Sequence, residues 1–324
     1  MSAPEVSVVI PTRSRLGLLV QTMHTVLSQD VDLEVIVVDD ASSDETPQWL
    51  AAHLDPRVRT VRHEVAAGLS HARNAGAAVA AGRWLAFVDD DDLWLPGKLA
   101  AQLAAARAAG TCWAFGGALT FTDGPRLLWI SAPTPDVVDE LPWRNIVPGG
   151  GSNAVVTREA FERVGGASPG IDIVADWDLW IRLHELAPPA VVERVLMGYR
   201  IHGGAMSTDV RRMLAGIDEI DRRYRHLRDG RGLDWDIIDH WLWLRTLLSG
   251  DRMAARWVAL QALRRGRPQG LRLAARSLVP VPPRMAVTTP LAHRGLLDRV
   301  RPRPVIAWPD DSRAAITEAL GARP

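Results

Sequence analysis

Short β-branched runs alternate with longer amphipathic segments through the first hundred residues, and that alternation admits few architectures. Val6–Ile10, Glu34–Val38, Val58–Val61 and Trp84–Val88 have the length of strands. Between them, Leu16–Leu27, Glu45–Leu54 and Leu69–Ala80 carry helical spacing. Ser42, Ser43 and Asp44 supply capping side chains ahead of Pro47. Such alternation predicts an α/β fold in which a parallel sheet is covered by helices on both faces. Right-handed crossovers in that sheet place a ligand at the carboxyl ends of the strands.

Polar clusters stand at three of those ends. Pro11–Arg15 follows the first run, Asp39–Asp40 ends the second and Asp89–Asp92 ends the fourth, so they are expected to meet in one crevice. Adjacent carboxylates repel unless a cation or hydrogen-bond donors compensate. Hard divalent cations such as Mg²⁺ or Mn²⁺ take oxygen ligands and bridge carboxylates to phosphates. The bland alternative is an acidic turn in which Asp92 caps the helix after Pro96. Asp39 and Asp40 read as turn residues or as acceptors for a base N–H or ribose hydroxyl. Arg73 suits a diphosphate or a plain helix surface. Asp176 reads as a helix N-cap or as a general base. His202, placed before two glycines, reads as structural or as a metal ligand through a neutral nitrogen.

The second block has more strand and loop. Strand-like segments are Cys112–Phe121, Leu127–Ser131, Asn153–Thr157 and Val191–Ile201; a glycine run spans Gly149–Gly151 and a helix is expected over Asp176–Glu185. From about residue 210 the pattern is helical and rich in arginine, with proline clusters at Pro280–Pro283 and Pro302–Pro304. A net charge of zero conceals a split: residues 1–210 hold 16 Lys and Arg against 26 Asp and Glu, and residues 211–324 hold 22 against 12. Between Trp241 and Arg303 there are 13 arginines and two acids, Asp251 and Asp298. That region reads as a packed helical extension with solvent-facing arginines, or as a basic amphipathic surface for an anionic membrane. A single cysteine, Cys112, excludes an intrachain disulfide and a cysteine-based zinc site, and fits a reducing compartment. No window reaches the roughly 18 apolar residues of a membrane span. A cytoplasmic protein is expected, peripheral on the inner membrane face if the basic region binds lipid.

Taken in order, these segments resemble the inverting glycosyltransferases of family 2, which have the GT-A fold. Ser7–Thr12 is similar to that family's opening strand, and Val37–Asp44 to its nucleotide-base segment. Gly68–Gly76 is similar to the helix under the diphosphate, and Phe87–Asp92 with Pro96 and Leu99 to the DxD region. Asp176–Leu183 is similar to the helix carrying the catalytic base, and Tyr199–His202 to the motif closing the donor site.

The resemblance covers about residues 5–208. It implies a Rossmann-like GT-A sandwich over 1–208, with a donor half of about 1–110 and an acceptor half of about 111–208, and a mainly helical extension over 209–324. It implies a nucleotide-sugar site of Pro11, Thr12, Arg13, Asp39, Asp40, Arg73, Asp89 and Asp90, with Asp40 at the base. Asp89 and Asp91 would form the DxD pair and hold Mn²⁺ or Mg²⁺ with His202, and Asp176 would be the catalytic base. The implied reaction moves one sugar from a nucleotide-sugar, expected to be a UDP-sugar, to a hydroxyl of a glycan, lipid-linked or small-molecule acceptor, with inversion. Arg13–Ser14 stands where the family often has Tyr–Asn, and Ala175 where many members have Glu. The absence of a QxxRW-type signature argues for adding one sugar rather than a polymer. No nucleic-acid partner is expected. The alternatives are a nucleotidylyltransferase, although Pro11–Arg15 lacks the usual glycine, and a non-catalytic peripheral membrane-binding module with a degenerate donor site. A dinucleotide-binding oxidoreductase lacks its GxGxxG after the first strand.

Overall fold

The computed structural model describes residues 3–52, 55–122, 126–171, 173–202, 209–248, 251–277 and 312–321. Four parallel strands open the sheet: β1 (Val6–Thr12), β2 (Leu33–Asp40), β3 (Val58–His63) and β4 (Trp84–Phe87), in the order β3-β2-β1-β4. Alternate side chains of these strands enter different clusters. Val8, Ile10, Val35 and Val37 pack with Leu19, Met23 and Val26 of α1 (Leu16–Leu27) and Leu99 and Leu103 of α4 (Lys98–Ala109). Val9, Ile36, Val38 and Phe87 pack against the other layer, with Ala72 and Ala77 of α3 (Leu69–Ala78). Two-residue periodicity in a strand buried on both faces produces this sorting, and each such side chain contributes about 1.5–3 kcal/mol. The short helix α2 (Thr46–Ala52) begins after Asp44, whose carboxylate accepts the N–H groups of Thr46 (3.1 Å) and Leu16 (3.2 Å). Of the expected stretch Glu45–Leu54, Thr46–Ala52 is helical, and residues 53–54 lie outside the described ones.

Beyond β4 the sheet becomes mixed, which the alternation alone did not signal. The two-residue β5 (Leu93–Trp94), β6 (Trp113–Thr122), β7 (Arg126–Ser131), β8 (Ala154–Thr157) and β9 (Ala190–Ile201) complete the order β3-β2-β1-β4-β8-β6-β9-β5, with β7 beside β6. β8 runs antiparallel to both β4 and β6, while β6 and β9 are parallel. Helices α5 (Arg158–Arg163) and α6 (Ala175–Leu186) flank this half.

Residues after 208 form α7 (Val210–Arg223), α8 (Trp235–Leu248), α9 (Arg252–Arg264) and α10 (Gln269–Arg276), and a last described helix, α11 (Ser312–Gly321). Met213, Leu214, Ile217, Val258 and Leu273 enter the same apolar cluster as Val9 and Phe87. Ile316 and Ala319 of α11 pack on Leu93, Leu95, Leu119 and Phe121, and the Leu320 carbonyl accepts from Gln21 Nε2 at 3.1 Å. The helical part therefore clasps the sheet. We propose the division between residues 208 and 209 as a change of architecture within a shared core. Both proline clusters lie outside the described residues.

Asp178 fastens the two parts. Its fully buried carboxylate accepts from Ser168 Oγ (2.6 Å) and Arg182 Nη2 (2.5 Å) on one oxygen, and from Arg223 Nη1 (2.8 Å) and Tyr224 Oη (2.7 Å) on the other. Burial alone would raise its pKa; the hydroxyls of Ser168 and Tyr224 with the Arg182 guanidinium outweigh it and hold the carboxyl below the usual range. Truncating a buried ion-pair member strands its partners at a cost of about 3–5 kcal/mol. Urea unfolding of Asp178→Ala is expected to show a loss of that order, and a loss below about 1 kcal/mol would contradict this role.

Candidate functional site

The four aspartates after β4 are compensated one by one. Asp90 is fully buried: Thr12 Oγ1 donates to its Oδ2 at 2.6 Å, and Arg15 pairs with it at 2.6 Å through Nη2. Arg15 Nη1 reaches Asp91 Oδ2 at 2.9 Å, the oxygen that also meets His202 Nε2 at 3.0 Å. Arg73 Nη2 donates to Asp89 Oδ1 at 2.7 Å. Asp92, also fully buried, accepts from Ser152 Oγ (2.5 Å) and the Arg200 N–H (3.1 Å). The next helix is capped by Gly97, so Asp92 is a tie between β4, the glycine loop and β9 and caps nothing. Burial raises Asp90 to about 7 against the pull of Arg15, while for Asp91 the His202 hydrogen bond and Arg15 outweigh burial and lower the pKa.

A cleft of about 1530 Å³ opens over this strand end. Pro11, Arg15, Arg73, Asp89, Asp91 and Asp176 line it; Thr12, Arg13, Asp39, Asp40, Asp90 and His202 do not. Asp39 is sealed by the Ser42 N–H (2.8 Å) and Arg62 Nη1 (2.5 Å). Asp40 takes the N–H groups of Ala67 (2.8 Å) and Gly68 (2.9 Å) and meets His63 Nδ1 at 2.8 Å. Both carboxylates thus set the shape of the loops around α3. Between these aspartates and Ser42, Ala41 adopts φ 61°, and Ser14 in the neighbouring loop adopts φ 52°. Left-handed conformations of non-glycine residues cluster at ligand-binding loops.

The opposite wall is the glycine run. A Cβ on Gly151 would collide with the Arg73 guanidinium, and one on Gly150 would sit 3.2 Å from Asp176 Oδ2. The run therefore lets Arg73 and Asp176 approach the same point from two elements. Asp176 lies in the first turn of α6, whose N-cap is Val174, so the capping role fails. Its Oδ2 accepts from Asn145 Nδ2 at 2.9 Å. Burial raises its pKa, opposed by Arg73 and Asn145 and reinforced by Asp89. Behind the wall, Lys98, the only lysine of the chain, is fully buried and donates to Gln102 at 2.7 Å. Gln102 donates to the Asn153 carbonyl at 2.5 Å, and Asn153 to the Pro148 carbonyl at 2.7 Å. Arg15 entered the sequence reading only as the end of the polar cluster Pro11–Arg15, and Lys98 and Ser152 were not singled out as site residues: nothing local marks a lysine four residues from a glutamine, or a lone serine, as part of a site.

The carboxylates and imidazole fit Mg²⁺ or Mn²⁺ in donor chemistry. Asp89 and Asp91 face the cleft, with side chains 29% and 12% exposed. Among the described residues no three Asp, Glu, His or Cys side chains already enclose an ion position. Arg15 instead supplies the positive charge at Asp91, and the phosphates of a bound nucleotide are the natural source of further ligands.

Comparison with known proteins decides the class. The sequence profile described as Glycosyl transferase family 2 matches residues 7–165. The protein named as teichuronic acid biosynthesis glycosyltransferase TuaG of Bacillus subtilis (strain 168) is 30% identical over 212 residues, 64% of this chain and 82% of that protein. The chain belongs to glycosyl transferase family 2. Succinoglycan biosynthesis protein ExoO of Rhizobium meliloti (strain 1021) is 41% identical over 108 residues, but they make up 33% of this glycosyltransferase and 31% of ExoO. Escherichia coli WfgD, named UDP-Glc:alpha-D-GlcNAc-diphosphoundecaprenol beta-1,3-glucosyltransferase, is 34% identical over 99 residues, 30% of this chain and 39% of WfgD. A solved mannosyltransferase of Pyrobaculum calidifontis, in complex with GDP-Man and Mn²⁺, superposes with a TM-score of 0.52 at 20% identity, covering 86% of this chain and 80% of that one. The fold is GT-A, and the glycosyltransferase class sets aside the nucleotidylyltransferase and non-catalytic readings.

The contact between Gly151 and Arg73 is a specific test of the wall. Gly151→Ala is expected to lower kcat/KM by about 10²-fold, since a displacement of about 1 Å suffices for that loss, with little change in melting temperature. Unchanged kinetics would show that Arg73 is not held by this contact.

Proposed function

We propose that the cleft transfers one sugar from a nucleotide-sugar to an acceptor hydroxyl, with inversion at the anomeric carbon. The observation that carries this reading is the meeting of Asp176 with the Arg73–Asp89 pair across the glycine run. A carboxylate kept more basic than usual, beside a cation and facing a cleft, suits a general base for the attacking hydroxyl. Arg73 suits the donor diphosphate, to which it can turn from Asp89.

Pro11, Thr12 and Arg13 with Asp39 and Asp40 frame the nucleoside end. Asp39 and Asp40 keep the loops in place through Arg62, His63 and backbone N–H groups, and the exposed Arg13 is free to flank the base. Asp89, Asp91 and His202 would hold Mn²⁺ or Mg²⁺, which when bound supplies positive charge against the departing nucleoside diphosphate. The relatives support a UDP-sugar donor: WfgD is named for UDP-Glc, although the mannosyltransferase structure holds GDP-Man. The name of WfgD also supports a diphospholipid-linked glycan as acceptor.

One attack by the activated hydroxyl breaks the bond from the anomeric carbon to phosphate oxygen and forms the new glycosidic bond on the opposite face. Asp176 takes the hydroxyl proton, and the leaving diphosphate keeps the electron pair. Asp176 must be ionised to act, so kcat/KM is expected to rise with pH through a limb above the ordinary aspartate value of about 3.9. Asp176→Asn is expected to cut the rate by about 10²–10⁴-fold, abolish that limb and leave nucleotide binding intact. Loss of nucleotide binding together with activity would make Asp176 a structural residue instead.

A further inference from the structure

The exposed side of α9 and α10, with Trp241 of the neighbouring α8, combines two features, and of its residues Trp241, Arg272 and Arg276 also line the cleft. The first is apolar. Met253, Leu260 and Leu271 are 72%, 43% and 65% exposed, and Trp241 on the adjacent α8 is 39% exposed. Four of the seven large hydrophobic side chains that stand exposed among the described residues thus lie between 241 and 271. The second is charge. Arg252, Arg256, Arg264, Arg272 and Arg276 are exposed, and none of these five has a carboxylate partner among the described residues. From Arg252 to Arg276 the sequence contains no acid at all.

Both features lie on one surface. On α9 the exposed positions 253, 256, 260 and 264 recur at helical spacing, while Ala255, Val258, Ala259 and Ala262 are buried. On α10, Leu271, Arg272 and Arg276 are exposed while Gly270 and Leu273 are buried. A Cβ on Gly270 would come within 2.6 Å of the Ala259 carbonyl, so the two helices lie in close contact. Their inner sides enter one core.

We infer that this face binds the surface of an anionic phospholipid bilayer. Arginines without acid partners attract anionic headgroups, and their stems lie alongside Met and Leu side chains that enter the boundary of the acyl region. A nucleic-acid backbone would use the arginines and leave the apolar side chains in water. Arg272 and Arg276 also line the cleft, so the bilayer would meet the protein beside one wall of it. No described helix is long and apolar enough to cross a membrane.

The test is flotation of the full chain with vesicles of phosphatidylcholine alone and of phosphatidylcholine with phosphatidylglycerol. Binding is expected only to the second, weakening as salt rises. Each arginine near an anionic surface is worth roughly fivefold in affinity, so Arg256→Glu with Arg264→Glu is expected to lower partitioning more than about tenfold. Met253→Ser with Leu260→Ser is expected to lower it at low salt as well. Both variants should keep wild-type melting temperature and Mn²⁺-dependent nucleotide binding, which separates this inference from the catalytic one. Equal binding to neutral vesicles, or no effect of either pair, would overturn it. So would a dimer in light scattering that the same substitutions dissociate, because the face would then cover a second copy, and so would salt-sensitive binding of a single-stranded oligonucleotide with none to vesicles.

Discussion

Four adjacent carboxylates at the end of β4 dominate the electrostatics of this molecule, and much of the surrounding structure answers them. Left alone, buried like charges would unfold the strand end or titrate. Arg15 comes from the loop after β1, Arg73 from α3, Ser152 from the glycine loop and the Arg200 N–H from β9. These partners are spread over 185 residues of chain, so the acidic run acts as a nucleus around which the two halves of the sheet are registered. The compensation is unequal. Asp90 and Asp92 are consumed inside the protein, while Asp89 and Asp91 keep a side open to the cleft.

The helices after residue 208 are part of the same machine. They line the cleft with Ile217, Trp241 and Arg272. Asp178, two residues after Asp176, locks α7 to α6, so the proposed base stands on a helix that the extension itself steadies. Arg228, fully buried and donating to the Pro142 carbonyl (2.7 Å) and to Asp221 (2.7 Å), ties the turn after α7 to the loop that carries Trp143 and Asn145. Positioning of this kind matters because a base must lie within hydrogen-bond reach of its proton.

The first half of the fold was legible because its signals are local. Each strand from β1 to β4 is a β-branched or apolar run, and Leu16–Leu27 coincides with α1. Asp89, Asp91, Arg73 and Asp176 were picked out through their ordered resemblance to one family, and they do line one cleft. What escaped was non-local. β5 is two residues long and exists through its pairing with β9. The fastening role of Asp178 was not legible because the residues that consume it, Arg223 and Tyr224, lie 45 and 46 positions away. The Asp39–Asp40 pair read either as turn residues or as acceptors for a base or ribose, and the partners that take them up, Arg62 and His63 at the end of β3 with Ala67 and Gly68 just after it, lie more than 20 residues on. A carboxylate's availability depends on who reaches it in space, and the sequence carries no sign of that.

The central claim is that the outward-facing aspartates at the end of β4 bind a nucleotide through a divalent cation. Calorimetric titration of UDP and GDP into the full chain, with and without Mn²⁺, tests it most directly when run beside Asp91→Asn. The account predicts that one nucleotide binds measurably only with Mn²⁺ and that Asp91→Asn weakens this binding by more than about tenfold, a buried charge contact being worth at least about 1.5 kcal/mol. Binding that is equally tight without metal, or equally tight to the variant, would contradict it.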